Sequence, residues 1–307
     1  MAINTLEFAT KMSSELDKAV AQKTVTGFLA DNVLRAKFVG CRTVLIPEMG
    51  MSGLADYDRD TGFIRGSISV TNKPFTLSMD RGRSFQIDAQ DEDETGIAGL
   101  AGQILGEFVR TKVVPEMDAY CLSKLAGYAV TKSQTVTAAT GKTLADSVYS
   151  LFADAMSKAQ NAIGYDEELV CFVNNAAWTA MMTTPEISRQ IVTSNFKQGA
   201  IDLTVKSING VALRPVSDSR MKSAYTFYDG TTSGQTDGGF APTSAAKNIG
   251  ILILPKKAAS LVKKTEKMRV FEPAKNLDAD AWKFDYRIYY DVFVKNSMGG
   301  GIYAYTY

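Results

Sequence analysis

Apolar positions along this chain follow two different repeats, and the longest helical one sits near its middle. From Asp91 to Gly127, side chains at Ile97, Leu100, Ile104 and Phe108 fall three and four residues apart, on one face of a helix. Asp91, Glu92, Asp93 and Glu94 precede it, at the end where unpaired N–H groups and the macrodipole favour negative charge. A helix from Thr95 to Ala126 would run about 48 Å, longer than a domain of this size needs, and so reads as a spine. Pro115 predicts a kink in it, in preference to a break with Pro115 opening a second helix. Gly96, Gly99, Gly102 and Gly106 lack a G-x-G-x-x-G arrangement and a leading parallel strand, so they predict close packing of another backbone rather than a phosphate loop.

Elsewhere the repeat is two. Cys41 to Pro47 reads as a short strand, followed by a loop through MGMSGLADYDRDTG. Ile64, Ile68 and Val70 alternate with Arg65, Ser67 and Ser69, and Phe75, Leu77 and Met79 alternate with Thr76, Ser78 and Asp80. With Thr71-Asn72-Lys73-Pro74 between them they predict a hairpin whose tip is mobile, Pro74 weakening the pairing there. Its second arm continues through Arg81-Gly82-Arg83 to Phe85 and Ile87. A two-stranded ribbon is marginal alone in water, so its apolar stripe needs a surface to lie on. Near the carboxyl end Trp282, Phe284, Tyr286, Ile288, Tyr290, Val292 and Val294 alternate with polar residues over about 40 Å. Gly299-Gly300-Gly301 then turns the chain into a last alternation through Ile302, Ala304 and Thr306. A strand that long beside the spine makes an elongated body.

Between these lie shorter elements. TKSQTVTAATGKT reads as a polar linker; Val136 stands where a nucleotide-binding loop requires glycine, which excludes that chemistry. Leu144, Val148, Leu151, Ala155 and Ala159 mark a helix ending at Gly164, Leu169 to Val173 a buried strand, and Asn174 or Asn175 the cap of a helix through Met182. Asn209-Gly210 between IDLTVKSI and VALRPV is a tight-turn signal, and NIGILILP another buried strand. Together they predict a compact α+β module from about Leu144 to Pro255. Inside it, the polar loop from Tyr228 and Gly230 to Gly238 and Phe240 has the length and composition of a contact element. The lysines from Lys256 to Lys267, with Arg269, read as a solvated helix face rather than a nucleic-acid patch. Asn4 to Val39 reads as an arm that packs on a neighbour, in the same chain or another.

Composition narrows the chemistry. The 307 residues carry 34 basic and 33 acidic side chains and no histidine. This removes nucleophilic triads, histidine metal sites and histidine proton shuttles, and leaves no bulk charge for tight nucleic-acid binding. No paired-acid motif stands outside the helix start, and the acidic run lacks EF-hand spacing, so no enzyme, cofactor or metal site is expected. Cys41, Cys121 and Cys171 are widely spaced and read as small, reduced core residues. Without a run long enough to span a bilayer or a signal-peptide pattern at the start, the chain is expected to stay in the cytosol.

Two stretches carry a family likeness: SFQIDAQDEDET leading to EFVRTKVVPEMDAYCLSKLAG, and MRVFEPAKNLDADAWKFDYRIYYDVFVKNSMGGGIYAY. With DYDRDTGFIRG and INGVALRPVSDSRM, they resemble the major capsid proteins of tailed bacteriophages with the Hong Kong 97-type fold, most like those of Gram-positive phages and prophages. The likeness covers most of the chain from about Val39 onward. It implies an α+β fold with an arm (1–40), a strand and extended E-loop hairpin (41–92), a peripheral domain with the spine (93–142), an axial domain (143–260) and returning peripheral strands (261–307).

It further implies a shell of hexamers and pentamers around double-stranded DNA, icosahedral or prolate, made in the bacterial cytoplasm. Partners would be the chain itself, a separate scaffolding protein if any, a portal, and DNA by weak contact. An encapsulin-type compartment and a gene-transfer particle share the fold and are the alternatives. Subunit contacts are expected at Arg65, Lys73, Pro74, Phe75, Arg81, Arg83, Asp91, Glu92, Asp93, Glu94, Tyr228, Gly230, Gly238 and Phe240, with the arginines and acids setting register. The family's type member joins lysine to asparagine across subunits with a glutamate's help. Lys73 and Asn296 are the candidates here, but their surroundings do not match, and a solvated lysine is the expectation.

Overall fold

In this computed structural model the described residues are 24–32, 37–39, 42–60, 62–88, 101–185, 189, 191–198 and 201–307. The acidic run Asp91 to Glu94, Cys41 and most of the arm lie outside them. Within the spine, α1 (Ala101–Phe108) passes through a π-helical stretch, Val109–Val113, into α2 (Val114–Thr131). Pro115 therefore disturbs the helix one turn upstream of itself: the Val114 N–H donates to the Val109 carbonyl, five residues back, and the widened turn makes room for the proline ring. Over its described length the helix spans about 46 Å. Its buried face is Leu105, Val109, Val114, Met117, Cys121, Leu122, Leu125, Ala126 and Ala129. The expectation of close backbone packing fails at Gly106, where an added Cβ would meet open space.

The module expected after the spine is a six-stranded sheet, built from β5 (Leu169–Val173), β6 (Val192–Gln198), β7 (Ile201–Ile208), β8 (Val211–Pro215), β11 (Ile249–Pro255) and β14 (Tyr303–Thr306) in the order β14-β11-β5-β8-β7-β6. Only β5 and β8 run parallel. Asn209 and Gly210 take the positive φ angles, 50° and 81°, that the tight turn between β7 and β8 requires. On one face lie α3 (Leu144–Ile163) and α4 (Asn175–Thr183). The first opens with a capping box between Thr143 and Asp146, and Asn174 caps the second. On the other face lie the second half of the spine and the segment 24–32, whose Phe28 stacks on Phe172 and meets the Phe196 ring edge-on at 5.5 Å. Covered on both sides, β5 is buried at every position, as its unbroken apolar run requires. The supposed linker also joins this unit: Val136 is buried and donates its N–H to Ala304.

The remaining strands differ from the expectation in two places, the lysine-rich segment and the hairpin. The lysine-rich segment is not a helix but β12 (Ala259–Phe271), because Met268 and Val270 alternate with Lys267 and Arg269 and pair along β13 (Ala281–Val294). The second neighbour of β13 is β4 (Met79–Asp88), so the long strand lies in a three-stranded ribbon whose inner face packs on the spine. The hairpin is shifted by one strand. It is formed by β2 (Thr43–Met51) and β3 (Ile68–Thr76), with β1 (Lys37–Val39) beside β2 and residues 52–60 and 62–67 in its end loop. Thr71 to Pro74 are thus mid-strand, and Lys73 and Pro74 are not at a tip. Pro74 is tolerated because β3 is an edge strand.

Between β3 and β4, Leu77 and Ser78 form the root of this hairpin, held by one carboxylate. Asp291, on β13 and 1 % exposed, accepts hydrogen bonds from the Ser78 N–H and hydroxyl (3.1 and 2.9 Å) and the Tyr120 hydroxyl (2.7 Å), and pairs with Lys124. A second buried acid, Asp118, binds the segment 24–32 to the spine. It accepts from the Thr26 N–H and hydroxyl at 3.0 and 2.7 Å and the Val25 N–H at 3.2 Å, and pairs with Arg220. Burial pushes the Asp118 carboxyl above the ordinary range, against these donors. Asp291→Ala is expected to destabilise the chain by about 2–3 kcal/mol, since it leaves the Ser78 N–H and hydroxyl without their buried acceptor; urea unfolding followed by tyrosine fluorescence measures it.

Candidate functional site

Past its root the β2–β3 hairpin leaves the body. Nine registered pairs, from Thr43–Thr76 to Met51–Ile68, carry its end loop about 30 Å outward. Because opposed residues share a face, its two sides can be read directly. One carries Val44 and Phe75 at the root, packed against Tyr289 and Phe293, and farther out Glu48, Lys73 and Thr71. The other carries Leu45, Pro47, Met49 and Met51 opposite Pro74, Asn72, Val70 and Ile68. Met49, Met51, Ile68 and Val70 are each 60–74 % exposed. The polar side of the outer arm thus holds the Lys73–Glu48 ion pair, and Met49, Met51, Ile68 and Val70 on its apolar side stand exposed.

The end loop continues this character. Leu54 is fully exposed, Phe63 87 % and Tyr57 60 %, and the Tyr57 and Phe63 rings sit 4.9 Å apart. Asp58 and Gly62 close the loop through a backbone bridge, and the Asp60 N–H donates to the Asp58 carboxylate at 2.7 Å. Arg65, expected at a contact, is exposed in this loop.

A groove of about 640 Å3 opens between the ribbon, the spine and the loop joining β9 (Tyr225–Phe227) to β10 (Phe240–Pro242). It brings together six of the expected residues, Arg81, Arg83, Tyr228, Gly230, Gly238 and Phe240, which lie far apart in the chain. Arg81 is committed within the subunit: its guanidinium donates to both Glu116 oxygens (2.6 and 3.2 Å), to the Tyr228 carbonyl at 2.6 Å and to the Gly239 carbonyl at 3.2 Å. Arg83 donates to the Thr236 carbonyl at 3.2 Å and lies under Gly230 and Gly238, both at positive φ. Asp229 ties the loop to itself, with the Thr232 hydroxyl and two backbone N–H groups holding its carboxyl well below the usual range. Phe85 and Phe108, 4.8 Å apart and edge to face, and Tyr286 form the apolar floor. Glu116 is the partner that sequence reading missed. Nothing local marks it, since only the tertiary fold sets it opposite Arg81.

Lys73 lies 3.6 Å from Glu48, which accepts a 2.8 Å hydrogen bond from the Asn296 amide. The lysine and the asparagine sequence reading considered do meet through one carboxylate. Lys73 is 47 % exposed, and the arrangement is a wet ion pair, not a dry amine aimed at an amide carbon.

No protein-family model matches the sequence, and no curated protein does. Solved structures do match. A chain of Mycobacterium phage Che8 is 12 % identical, with 89 % of this chain and 92 % of that one covered and a TM-score of 0.50. A chain from the asymmetric unit of the bacteriophage PhiM1 mature capsid is 13 % identical over 87 % and 82 %, at 0.52. One from the capsid of cyanophage P-SCSP1u is 12 % identical over 88 % and 84 %, at 0.53. The chain has a phage capsid fold.

The two groove arginines are expected to separate on mutation. Arg81→Ala strands a partly buried Glu116 and two carbonyls, and lowers the stability of the dissociated subunit by about 2–3 kcal/mol; Arg83→Ala changes it by no more than about 0.5 kcal/mol. Both are read from urea midpoints. Assembled protein boiled in detergent is expected to run as one monomer band; a ladder above it would show that Lys73 and Asn296 react across subunits after all.

Proposed function

We propose that this chain is a major capsid protein, copies of which close into the head shell that encloses phage double-stranded DNA. One observation carries this beyond the fold: the outer half of the β2–β3 arm presents Met49, Met51, Ile68 and Val70 together on one exposed side. Exposed apolar surface of this extent on a single chain marks an interaction site. Burying side chains such as Met49, Met51, Ile68 and Val70 contributes about 1–2 kcal/mol each. That suffices for one modest interface, and a closed shell repeats it around every subunit, so that weak contacts add through multivalency.

In this reading the arm is the E-loop and lies over the next subunit. The spine and ribbon form the peripheral domain and the six-stranded module the axial domain, the latter facing the symmetry axes of hexamers and pentamers. A separate scaffold, a portal and weakly bound DNA are the partners the reading calls for, and the protein's role is structural rather than catalytic. The near-neutral charge, +1 over the chain, supports it, since many copies of a highly charged subunit would repel one another.

Electron microscopy of the purified protein is the test, and closed particles of uniform size are expected. Met49→Lys with Val70→Lys is expected to abolish particles while leaving a folded subunit with an unchanged urea midpoint, because both positions face solvent in the isolated chain. Persistent monodisperse monomer from the unaltered protein at high concentration would overturn the proposal.

A further inference from the structure

Lys124 and Asp291 are arranged for more than an ion pair. The Asp291 carboxyl is buried, and each of its oxygens has its own donors. Oδ2 accepts from the Ser78 N–H and hydroxyl at 3.1 and 2.9 Å. Oδ1 accepts from the Val292 N–H and the Tyr120 hydroxyl, both at 2.7 Å, and touches Lys124 Nζ. The amine lies between two rings, 5.4 Å from the centroids of Tyr120 and of Phe293, and donates to the Tyr120 hydroxyl at 3.2 Å. Tyr120 therefore touches both atoms, Nζ and Oδ1, between which a proton would pass. Burial pushes its hydroxyl above the usual range, so it stays a donor. What differs from the Lys73–Glu48 pair is the acid: the Glu48 side chain is 33 % exposed and that of Asp291 1 %. A carboxylate taken that far out of water gains by becoming neutral, and the proton it needs is on the amine in contact with it.

We propose that Lys124 and Asp291 join as an amide within one chain, tying the spine to the ribbon by a covalent bond at the hairpin root. One proton passes from the Lys124 ammonium to Oδ1, and the freed amine attacks the Asp291 carboxyl carbon. Charge that gathers on Oδ2 is met by the Ser78 N–H and hydroxyl, donors in place before the reaction starts. Tyr120 then gives its proton to Oδ1 while taking one from the nitrogen. The bond from carbon to Oδ1 breaks, and water leaves with that oxygen and two of the three ammonium protons, so no oxidant or further reactant is needed. Oδ2 stays as the amide carbonyl and keeps both Ser78 donors. The bond closes the chain between 124 and 291 into a ring, which removes freedom from the unfolded state and makes permanent the junction that directs the arm. The reaction needs a single chain, so it does not rest on the shell reading.

Mass spectrometry of the purified full-length chain, intact and after trypsin, tests it. The chain is expected to weigh one water less than its Lys124→Arg variant once the side-chain difference is subtracted. Because trypsin does not cut after an acylated lysine, 113–132 is expected joined to 288–295 through Lys124 and Asp291. Tyr120→Phe is expected to slow the joining about a hundredfold, read from the joined fraction in protein sampled at intervals after synthesis; joining at the unaltered rate would overturn the part given to Tyr120. A digest in which the peptide ends at Lys124 and no joined peptide is found, or a water loss that maps to other residues, would overturn the amide and leave the shell reading standing. Joined peptide in a chain that forms no particles would overturn the shell reading alone.

Discussion

A single buried carboxylate fixes how this chain is laid out. Asp291 sits where ribbon, spine and hairpin root meet, and it can be buried only because every lone pair it presents is answered: by the Ser78 N–H and hydroxyl, by Tyr120 and by Lys124. These donors come from the hairpin root and the spine, and the carboxylate from the ribbon, so one group joins three elements far apart in the chain. The direction in which the hairpin departs is therefore not a matter of loop preference. Ser78 is held at both its backbone and its side chain, and Leu77 beside it is buried against Tyr289, whose hydroxyl donates to the Leu77 carbonyl at 3.1 Å. The root is rigid, so the arm beyond it presents its sides in a fixed orientation.

That orientation makes the arm's composition meaningful. On an ordinary exposed ribbon the polar side faces water and the apolar side faces the body. Here the side whose root packs on the body turns polar as it leaves, with Glu48 bridging Lys73 and Asn296, and the opposite side ends in the exposed apolar group Met49, Met51, Ile68 and Val70. Such a strand pair is stable only with a cover on its outer side. In the proposed shell that cover is an identical neighbour at a fixed place, and each copy both gives and receives the same contact.

Much of this was legible in the sequence where the signal is local. The Asn209-Gly210 turn, the helix stopped by Gly164, the cap at Asn174 and the unbroken β5 and β11 runs all rest on residues within one element, and the structure has them. The misreadings share a cause. Thr71-Asn72-Lys73-Pro74 has the composition of a turn, and only pairing with β2, some 25 residues back, makes it a strand. The lysines of β12 look solvated in any conformation, so only the partner β13 decides between helix and strand. At the candidate site, the residues were identified by type and position but not by partner, and Arg81 went to Glu116 within the subunit rather than across an interface.

The groove has its origin in the same alternation that builds the ribbon. Met79, Arg81, Arg83, Phe85 and Ile87 share the inner face of β4, and three of the five behave as core residues against the spine. Two arginines at the remaining positions cannot be buried without partners. The structure meets this by bringing Glu116 and the β9–β10 loop over Arg81, which leaves an opening beside Arg83, while Phe108 still packs on Phe85 and Tyr286. A well-packed apolar pair at 81 and 83 would have filled that opening. Keeping arginines at these positions costs packing within the subunit, and that cost has a return only if the opening receives something.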